Sequence, residues 1–409
     1  MNLAIVVQRY GQHIVGGAEA HARRIAHHLS RWHRVTVATT AASDHLAWKN
    51  DLPEGEEADG PVRVLRFAVE RQRTDYWYAL DRLLRGPLGG PDFPGLAPPA
   101  KQAFRRRLER WPLGLQEEYI RWQGPYAPAL FSWLRENRRS QDRFLFFTYL
   151  YPTTYFGVPC VPGEKVDFQP TLHDEPPAYL PAFGRSFHLA SRLLFNTDTE
   201  QRLSQRLYDA PASKGEVLGY GMDAPAASSG ACPATPPFVL YAGRMEDAKG
   251  VPLLLQYFMR WKEENGGSRL RLVLVGHSSM RLPDHPAIEY RGFVSEEEKG
   301  ALMRGALALV HPSPFESLGF ILLEAFLCET PALVFARSEV LVDHCRSSHG
   351  GLWYEDYYEF AEALGWLLAH PAEAKRLGEQ GRAYAQRHYG MDSYTRRLAA
   401  LYPPQEAAA

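Results

Sequence analysis

Each half of the chain repeats one pattern, in which a short apolar segment of strand length is followed by a segment with helical periodicity. Strands are predicted at 3–7, 35–39, 62–67, 144–147, 169–172 and 192–195, and again at 238–242, 271–275, 307–311 and 332–335. Strands that are apolar throughout and alternate with helices are typical of parallel sheets covered on both faces. The pattern therefore predicts two α/β domains, each built on a parallel sheet.

A composition change separates the two halves. Residues 223–237 are small and rich in proline, which is typical of a linker between domains. A chain of 409 residues is also too long for one ordinary core, since domains average about 150 residues. We expect a first domain over 1–222, the linker over 223–237, a second domain over 238–385, and a C-terminal segment over 386–409. Residues 70–140 break the strand–helix rhythm and are predicted to elaborate the first domain.

Charge and cysteine content exclude several classes of protein. The net charge is −1, with 46 basic and 47 acidic residues, so no overall field attracts nucleic acid. The four cysteines are scattered without Cys-x-x-Cys spacing, which predicts reduced thiols and no structural zinc. The chain starts on a predicted strand and has no apolar run of about 20 residues, so neither a signal peptide nor a membrane span is expected. We expect a soluble, cytoplasmic protein.

Two glutamates, Glu316 and Glu324, follow the predicted strand 307–311. A helix is predicted to start near Glu316 or Ser317, and its free N–H groups beside Gly319 would form an anion site. Eight helical residues would separate the two carboxylates by about 12 Å, whereas a retaining hydrolase needs about 5–5.5 Å. We therefore expect them to hold two hydroxylated ends of one long ligand. Ordinary solvated glutamates are the alternative, which the apolar run around Glu324 disfavours.

Two cations, Arg244 and Lys249, follow strand 238–242 and Gly243 at its end. Open α/β sheets bind ligands at this carboxyl edge. An arginine can bind a diphosphate with two parallel hydrogen bonds, while a lysine adds a point charge. The alternative is a surface arginine and a lysine at a helix start, where the lysine would oppose the helix dipole.

Four further segments lie in loops at the ends of strands. The loop with Gly16 and Gly17 lets backbone approach a ligand, although tight turns explain such loops equally well and the G-x-G-x-x-G pattern is absent. His173 lies after strand 169–172, where either a ligand contact or a capped loop histidine is expected. Segments 276–278 and 292–295 lie at other strand ends, and either frame a nucleobase or form ordinary turns.

Taken together, these motifs make the chain resemble glycosyltransferase family 4, retaining enzymes with the GT-B fold of two Rossmann-like domains facing across a cleft. The resemblance covers nearly the whole chain and also includes segments Asn196-Thr197 and Gly221-Met222-Asp223. It implies that the C-terminal segment from 386 crosses back to the first domain. Region 70–140 matches no pattern of the family, so the acceptor stays open.

The resemblance also implies roles for individual residues. Arg244 and Lys249 would bind the diphosphate of a nucleotide sugar, Glu316 the transferred sugar, and Glu324 the ribose. His173 would contact the sugar near its 6-position, and Gly17 the diphosphate or the acceptor. The catalytic set is then His173, Arg244, Lys249 and Glu316. The remaining predicted donor contacts are Gly16, Gly243, Gly276, Phe293, Val294, Ser317, Leu318, Gly319 and Phe320.

The predicted reaction is transfer of a sugar with retention to a hydroxyl of a glycan, a lipid-linked or a small-molecule acceptor. The chain has no Asp-x-Asp triplet, so neither a metal nor another cofactor is expected. A nucleotide-sugar 2-epimerase of the same fold is the first alternative, but it needs acid and base carboxylates in the first domain. A non-catalytic binding subunit is the second, and it would not need the full set of charged residues.

A basic stretch suggests where the protein could contact a membrane. Between Lys101 and Arg143 ten basic residues stand against five acidic ones, so the stretch carries about +5. Phe104, Leu108 and Trp111 recur at helical spacing among the arginines. They either form an amphipathic face suited to anionic lipid or pack into the core beneath solvated arginines.

Overall fold

The computed structural model describes residues 1–14, 16–90, 92–223 and 237–404. The chain divides into two compact units. The first comprises Met1–Gly219 with the C-terminal residues from Arg396 onward, and the second comprises Tyr220–Thr395. Residues 224–236, most of the predicted linker, lie outside the described residues.

The first unit is built on a sheet of eight strands in the order β3-β4-β2-β1-β5-β6-β7-β8. Neighbouring strands are parallel except β3 and β4. The strands are β1 (Asn2–Val6), β2 (Arg34–Thr40), β3 (Gly55–Asp59), β4 (Val62–Phe67), β5 (Arg143–Phe147), β6 (Val166–Gln169), β7 (Arg192–Phe195) and β8 (Gly215–Val217).

Region 70–140 forms four helices that thicken one side of this unit. The helices of the unit are α1 (Gly17–Leu29), α2 (Asp75–Arg85), α3 (Pro98–Glu109), α4 (Leu113–Gln123), α5 (Pro128–Asn137), α6 (Pro152–Tyr155), α7 (Gly184–Leu189) and α8 (Asp198–Tyr208). Phe104 and Leu108 of α3 are fully buried in the main core of the unit, and Trp111 is partly buried against it. The apolar side of α3 is therefore core.

The second unit has a sheet of six strands in the order β11-β10-β9-β12-β13-β14, all parallel. The strands are β9 (Phe238–Ala242), β10 (Arg271–Val275), β11 (Ile288–Tyr290), β12 (Ala308–His311), β13 (Ala332–Phe335) and β14 (Gly351–Tyr354). The helices are α9 (Val251–Glu264), α10 (Glu296–Gly305), α11 (Phe320–Leu327), α12 (Glu339–Ser348), α13 (Tyr357–Ala369) and α14 (Pro371–Tyr389). A last helix, α15 (Met391–Leu401), begins in this unit, and its residues from Arg396 onward belong to the first.

The central strands of the second unit are buried on both faces. Leu240 of β9 packs into one core cluster, while Val239 and Tyr241 pack into another. Because successive side chains of a strand point to opposite faces, helices must cover both sides, as the apolar strands predict. In chain order the sheet reads 3-2-1-4-5-6, the Rossmann arrangement. Its order reverses between β9 and β12, and this switch point is where such sheets bind ligands.

Two sequence-based predictions about element bounds are wrong. The strand expected at 169–172 is β6, which ends at Gln169; Pro170 offers no N–H to a sheet, and Thr171 has a left-handed φ of 49°. The helix expected from Glu316 or Ser317 begins at Phe320, because Gly319 has a left-handed φ of 76° that a helix interior does not allow. Glu316 therefore lies outside the helix that carries Glu324. The predicted separation of about 12 Å assumed one continuous helix and does not apply.

The C-terminal residues are fixed to the first unit by a buried carboxylate. Asp167 of β6 is fully buried and accepts hydrogen bonds from Arg143, from Arg192 at 2.6 and 2.7 Å, and from the Tyr402 hydroxyl at 2.7 Å. Arg192 also donates to the Leu401 carbonyl at 2.9 Å. A charge buried this deeply is stable only when it is paired and hydrogen-bonded, so the C-terminal segment and the sheet stabilise each other.

We predict that Asp167→Ala lowers the free energy of unfolding by about 3 kcal/mol, the lower end of the range for breaking a buried ion pair. The lower end applies because both arginines keep some access to water. Urea unfolding followed by circular dichroism measures the change. Glu56→Ala is the control, since it breaks an exposed pair with Arg63 and should leave the midpoint unchanged. An equal midpoint for both variants would contradict the role given to Asp167.

Candidate functional site

Lys249 and Glu316 meet at the switch point of the second sheet. Lys249 follows β9 and Glu316 follows β12, and the lysine ammonium lies 2.8 Å from a carboxylate oxygen of Glu316. The two side chains are 26% and 14% exposed, so the pair is mostly shielded but still reaches solvent. The sequence predicted both residues as ligand contacts, and the structure brings them together within one unit. A lysine just before a helix is unfavourable, because its charge opposes the helix dipole. Here Glu316 compensates the charge of Lys249.

Backbone packing sets this contact. Gly250 has a left-handed φ of 71°, and a methyl group at its Cα would lie 2.3 Å from the carbonyl oxygen of Pro312. The loop after β9 therefore touches the loop after β12 through a position that only glycine fills. On the other side of Glu316, Gly319 turns the chain into α11. The loop that carries Glu316 is thus fixed at both ends.

The charge of Glu316 is maintained despite burial. Burial alone would raise the pKa of its carboxyl, but the charge of Lys249, the nearby His311 ring and a Ser313 hydrogen bond lower that pKa to about 2. His311 lies 3.7 Å from Glu316, and burial lowers the pKa of its imidazole to about 4. At neutral pH the cluster therefore holds one cation, one anion and a neutral imidazole. Sequence analysis missed His311, although its position at the end of β12 was a signal.

Arg244 lies in the same loop as Lys249 but is more exposed. Its guanidinium lies 3.3 Å from the Glu246 carboxylate, and its side chain is 45% exposed. A pair this exposed is worth little in water, so the guanidinium can exchange Glu246 for another anion. Gly243 and Gly276, predicted as donor contacts, use their N–H groups within the fold, donating to Val275 at 3.0 Å and Gly292 at 2.8 Å.

The remaining predicted donor residues of this unit differ in exposure. Phe293 is 84% exposed and Val294 packs partly against the core. Leu318 is buried, and its carbonyl accepts a hydrogen bond from His344 at 2.8 Å. Phe320 packs edge-to-face on Tyr220. Ser317 lies between Glu316 and this packed segment, ahead of α11. The loop 315–319 is therefore anchored by its apolar members.

Glu324 is paired within the second unit. Its carboxylate lies 3.0 Å from the Lys299 ammonium, which also contacts Glu296 at 2.7 Å. Burial would lower the pKa of Lys299, but the charges of Glu324 and Glu296 raise it. The sequence indicated that the charge of Glu324, within an apolar run, needs a partner. Lys299 is that partner. Contact of Glu324 with a ribose stays a prediction.

In the first unit, His173 lies four residues beyond β6 in a tight turn. The Glu175 N–H donates to the His173 carbonyl at 2.9 Å, and the Glu175 carboxylate lies 3.0 Å from His173 Nδ1. The Tyr149 hydroxyl donates to the same carboxylate oxygen at 2.5 Å. Burial alone would raise the pKa of Glu175, but the charge and hydrogen bond of His173 lower it. Sequence analysis did not single out Glu175, although it stands two residues from His173.

A second carboxylate, Glu200, fixes the start of this loop. It accepts hydrogen bonds from the backbone N–H groups of Leu172 and Asn196, both at 2.6 Å. These groups follow β6 and β7, so one side chain joins two strand ends. Burial raises the pKa of Glu200 to about 8. The sequence signal was Thr197-Asp198-Thr199-Glu200, a capping box at the start of α8, and the Thr197 hydroxyl does accept from the Glu200 N–H.

The glycine loop of the first unit is shaped by an internal ion pair. Gly17 begins α1 and Gly16 precedes it. Glu19 turns back toward Gly16 and pairs with Arg9 at 2.6 Å, both side chains being less than 8% exposed. A methyl group on Gly16 would lie 2.1 Å from Glu19. Close packing of Glu19 therefore explains why residue 16 is a glycine. Arg9, which pairs with Glu19, was not identified from the sequence.

The described ranges contain neither a candidate metal cluster nor a candidate membrane span. No cluster of three or more His, Cys, Asp or Glu side chains suited to a metal ion occurs among them. No helix in that part of the chain has the length and apolarity to cross a membrane. Cys160, Cys328 and Cys345 are free thiols, and Cys232 lies outside the described residues.

The second unit is similar to a known protein family. Residues 227–384 match the family model of glycosyl transferases group 1. A D-inositol 3-phosphate glycosyltransferase from Kineococcus radiotolerans is 31% identical over 232 residues, covering 48% of this chain and 53% of the relative. The chain thus spans about half the length of the curated relatives it matches.

The fold is shared with solved structures over nearly the whole chain. Sucrose-phosphate synthase from Thermosynechococcus elongatus superposes with a TM-score of 0.66 at 16% identity, covering 98% of both chains. Anabaena HepE in complex with UDP and glucose gives 0.67 at 15% identity, covering 98% of this chain and 99% of that one. These likenesses confirm the predicted pair of parallel-sheet domains. Over residues 227–384 the chain is similar to the glycosyl transferases group 1 family, and it has the GT-B fold that its sequence predicted.

Proposed function

We propose that the protein is a glycosyltransferase that moves a sugar, with retention of configuration and without a metal ion, from a nucleoside diphosphate sugar to an acceptor hydroxyl. The Lys249–Glu316 contact at the switch point of the second sheet carries this proposal. A nucleoside diphosphate sugar needs cationic groups for its diphosphate beside acceptor groups for its sugar hydroxyls. Lys249 and Arg244 supply the first, and Glu316 supplies the second.

The charge state of the cluster suits this ligand. Glu316 is ionised at neutral pH, because its carboxyl pKa lies far below 7, so it accepts hydrogen bonds from hydroxyl groups. Lys249 is already held against it, and Arg244 forms a partly exposed ion pair with Glu246. A diphosphate entering beside them meets two preorganised cations without a divalent ion. We therefore include metal independence in the proposal.

In the proposed step the bond between the anomeric carbon and the diphosphate oxygen breaks, and the electron pair leaves with the nucleoside diphosphate. The acceptor oxygen attacks the same face of the sugar, and its proton passes to the departing phosphate oxygen. Arg244 and Lys249 stabilise the charge that develops on the diphosphate, an effect worth about 10²–10³ in rate for each preorganised group. Glu316 and His173 contact the transferred sugar, and Glu324 contacts the ribose.

We predict that Arg244→Ala lowers turnover by about 10²-fold or more, because a cation opposite the leaving group is lost. The fold should be unaffected, since the side chain is half exposed. Released nucleoside diphosphate is measured with UDP-, GDP- and dTDP-sugars in parallel, starting with UDP-glucose because HepE was solved with UDP and glucose. EDTA should leave the rate unchanged.

Arg260→Ala is the matched control for that experiment, because Arg260 is an equally exposed arginine of the same unit, paired with Glu264 on α9. Full activity of Arg244→Ala would remove the diphosphate assignment, and a strict need for Mg²⁺ or Mn²⁺ would remove metal independence. Product analysis separates the alternatives: an epimerised donor formed without acceptor identifies an epimerase, and nucleotide binding without turnover identifies a binding subunit.

We also propose that the first unit contacts an anionic membrane from the cytoplasmic side, which suits a lipid-linked acceptor. The surface differs from the one expected from the sequence, since Phe104 and Leu108 are core. Instead, Leu83, Leu88 and Leu113 are 51%, 36% and 58% exposed. Arg107 of α3 donates to the Leu83 carbonyl at 3.2 Å, which brings the ends of α2 and α3 together. Arg82 of α2, Arg106 of α3 and Arg110 at the end of α3 are also exposed, and they supply basic groups on the same helices.

We predict that the protein co-sediments with anionic vesicles, weakly at high salt because exposed charges are screened. The paired substitutions Leu83→Ser and Leu113→Ser should reduce binding severalfold, since each removes an apolar contact with the interface. Leu46→Ser is the control, because Leu46 is 62% exposed in a different loop of the same unit. Absence of binding at low salt would end this proposal and favour a soluble acceptor.

A further inference from the structure

Arg73 is a partly buried arginine between β4 and α2 of the first unit. Its Nε donates to the Gln123 carbonyl at 2.8 Å, and its Nη1 donates to the His45 carbonyl at 3.0 Å and the Leu46 carbonyl at 3.5 Å. These acceptors are neutral, and Arg73 forms no ion pair with any of the described residues. Burial therefore lowers the pKa of its guanidinium. A cation withdrawn from water without a counter-charge is costly, so this position favours an anionic ligand.

Carboxylates in the neighbourhood of Arg73 have other partners. Asp81 acts on its charge at longer range, but the Asp81 carboxylate pairs with Arg85 at 2.7 Å. Asp44 lies next to the carbonyls that Arg73 binds, and its carboxylate accepts from two backbone N–H groups of its own loop at 2.7 and 2.5 Å. Neither acid neutralises Arg73 without giving up these bonds.

One edge of the guanidinium stays open. Its Nε and Nη1 are occupied by carbonyls, whereas Nη2 bonds to none of the described residues. A carboxylate binds arginine best through two parallel hydrogen bonds, and that arrangement needs two adjacent nitrogens with free hydrogens. An anion whose oxygens spread in three directions can instead bond to Nη2 and to a donor from another residue.

Tyr151, four residues beyond β5, supplies such a donor. Its hydroxyl bonds to none of the described residues, and its side chain is partly exposed. Burial raises the pKa of this hydroxyl to about 12, so it is protonated at neutral pH and can donate. The charges of Arg73, Glu19 and Glu175 act on it, and both glutamates are already paired.

The two donors are held by the same indole ring. Trp48, in the loop after β2, is fully buried, and the Arg73 guanidinium and the Tyr151 ring each lie 5.4 Å from its centre. The Trp48 indole N–H donates at 2.8 Å to the Gln123 carbonyl, which Arg73 also binds. Because β2, β4 and β5 are parallel, the loops that follow them lie at the carboxyl edge of the first sheet, where open α/β sheets bind ligands.

Exposed aromatic rings lie beside this arginine. The guanidinium lies 4.0 Å from the centre of the Trp77 ring, which packs edge-to-face on Tyr78 at 4.9 Å. Tyr76 and Tyr78 are 46% and 47% exposed on the first turn of α2. Aromatic side chains provide apolar contact surface next to the cation, so the carbon skeleton of an organic anion can pack there.

We propose that Arg73 and Tyr151 form an acceptor subsite that binds a phosphate group of the acceptor molecule. Phosphate offers three strong acceptor oxygens, which suits one open guanidinium nitrogen and a separate hydroxyl. The role of the bound molecule as acceptor rests on the proposed function, but the binding of phosphate is a property of the first unit alone. The phosphate belongs either to a soluble sugar phosphate or to the headgroup of a lipid.

Phosphate binding to the full chain is measured by isothermal titration calorimetry, with inorganic phosphate and glucose 6-phosphate as probes and glucose as the uncharged comparison. The wild type should bind glucose 6-phosphate and not glucose. Arg73→Gln should weaken this binding about tenfold or more, since a hydrogen bond to a charged group is lost. Tyr151→Phe should weaken it severalfold. It removes only a hydroxyl and keeps every bond of Arg73, so it decides the test if Arg73→Gln fails to fold.

Two variants serve as controls. Arg121 is a partly exposed arginine of the same unit that lies 5.4 Å from the centre of the Tyr126 ring and pairs with Glu118 at 3.0 Å. Arg121→Gln should bind glucose 6-phosphate as the wild type does. Arg244→Ala reports on phosphate bound in the second unit, and it should also leave this affinity unchanged.

Vesicles distinguish the two sources of phosphate. If the group belongs to a lipid headgroup, Arg73→Gln should co-sediment less than the wild type with phosphatidylcholine vesicles that contain phosphatidic acid. If it belongs to a soluble acceptor, the two proteins should co-sediment equally and differ only in their affinity for glucose 6-phosphate.

Equal behaviour of Arg73→Gln and the wild type with both glucose 6-phosphate and these vesicles would overturn the proposal. So would an affinity that Arg244→Ala lowers and Arg73→Gln does not, or a wild type that binds neither probe. The outcome is separable from that of the proposed function. If binding depends on Arg73 but no nucleotide sugar is turned over, the glycosyltransferase assignment fails while the phosphate subsite stands. If the wild type transfers sugar to glucose as fast as to glucose 6-phosphate, the role of the subsite in acceptor binding fails.

Discussion

The arrangement of the candidate site depends on one constraint, that parallel strands have all their carboxyl ends at the same edge of a sheet. In the second unit every pair of neighbouring strands is parallel, and the order reverses between β9 and β12. The loops that leave these two strands therefore run side by side, although 67 residues separate Lys249 from Glu316. Gly250 lets the loops touch, and the helices that cover both faces keep the strands in place.

Charge pairing is the second requirement, and it links stability to function. Buried carboxylates are costly unless cations or N–H groups compensate them. Asp167 is compensated by arginines and serves the fold, whereas Glu316 is compensated by a lysine of the candidate site. Glu175 is compensated by a histidine and a tyrosine and keeps its charge beside the ring. Compensation of a buried carboxylate therefore stabilises the fold at Asp167 and forms a polar site at Glu316 and at Glu175.

Much of the fold follows from sequence pattern, and the misses have physical reasons. Most of the inner strands are mainly apolar, and β4, β7, β9, β10 and β13 were predicted with the bounds that the structure has. The edge strand β3 consists of Gly55-Glu56-Glu57-Ala58-Asp59 and has no apolar pattern to detect. The contact between Lys249 and Glu316 could be anticipated from strand order, but the partners Glu175, Glu200 and His311 could not be assigned, because they depend on turns and on side-chain direction. Gly319 likewise set the start of α11 through its backbone conformation.

The central claim is that the loops after β9 and β12 bind the diphosphate of a nucleotide sugar. A crystal structure of the protein with bound UDP tests this most directly. The account predicts diphosphate oxygens within about 2.7–3.2 Å of the Lys249 ammonium and the Arg244 guanidinium, with Arg244 turned away from Glu246. An ordered UDP bound elsewhere, with Arg244 still on Glu246 and no ligand at the ends of β9 and β12, would contradict it.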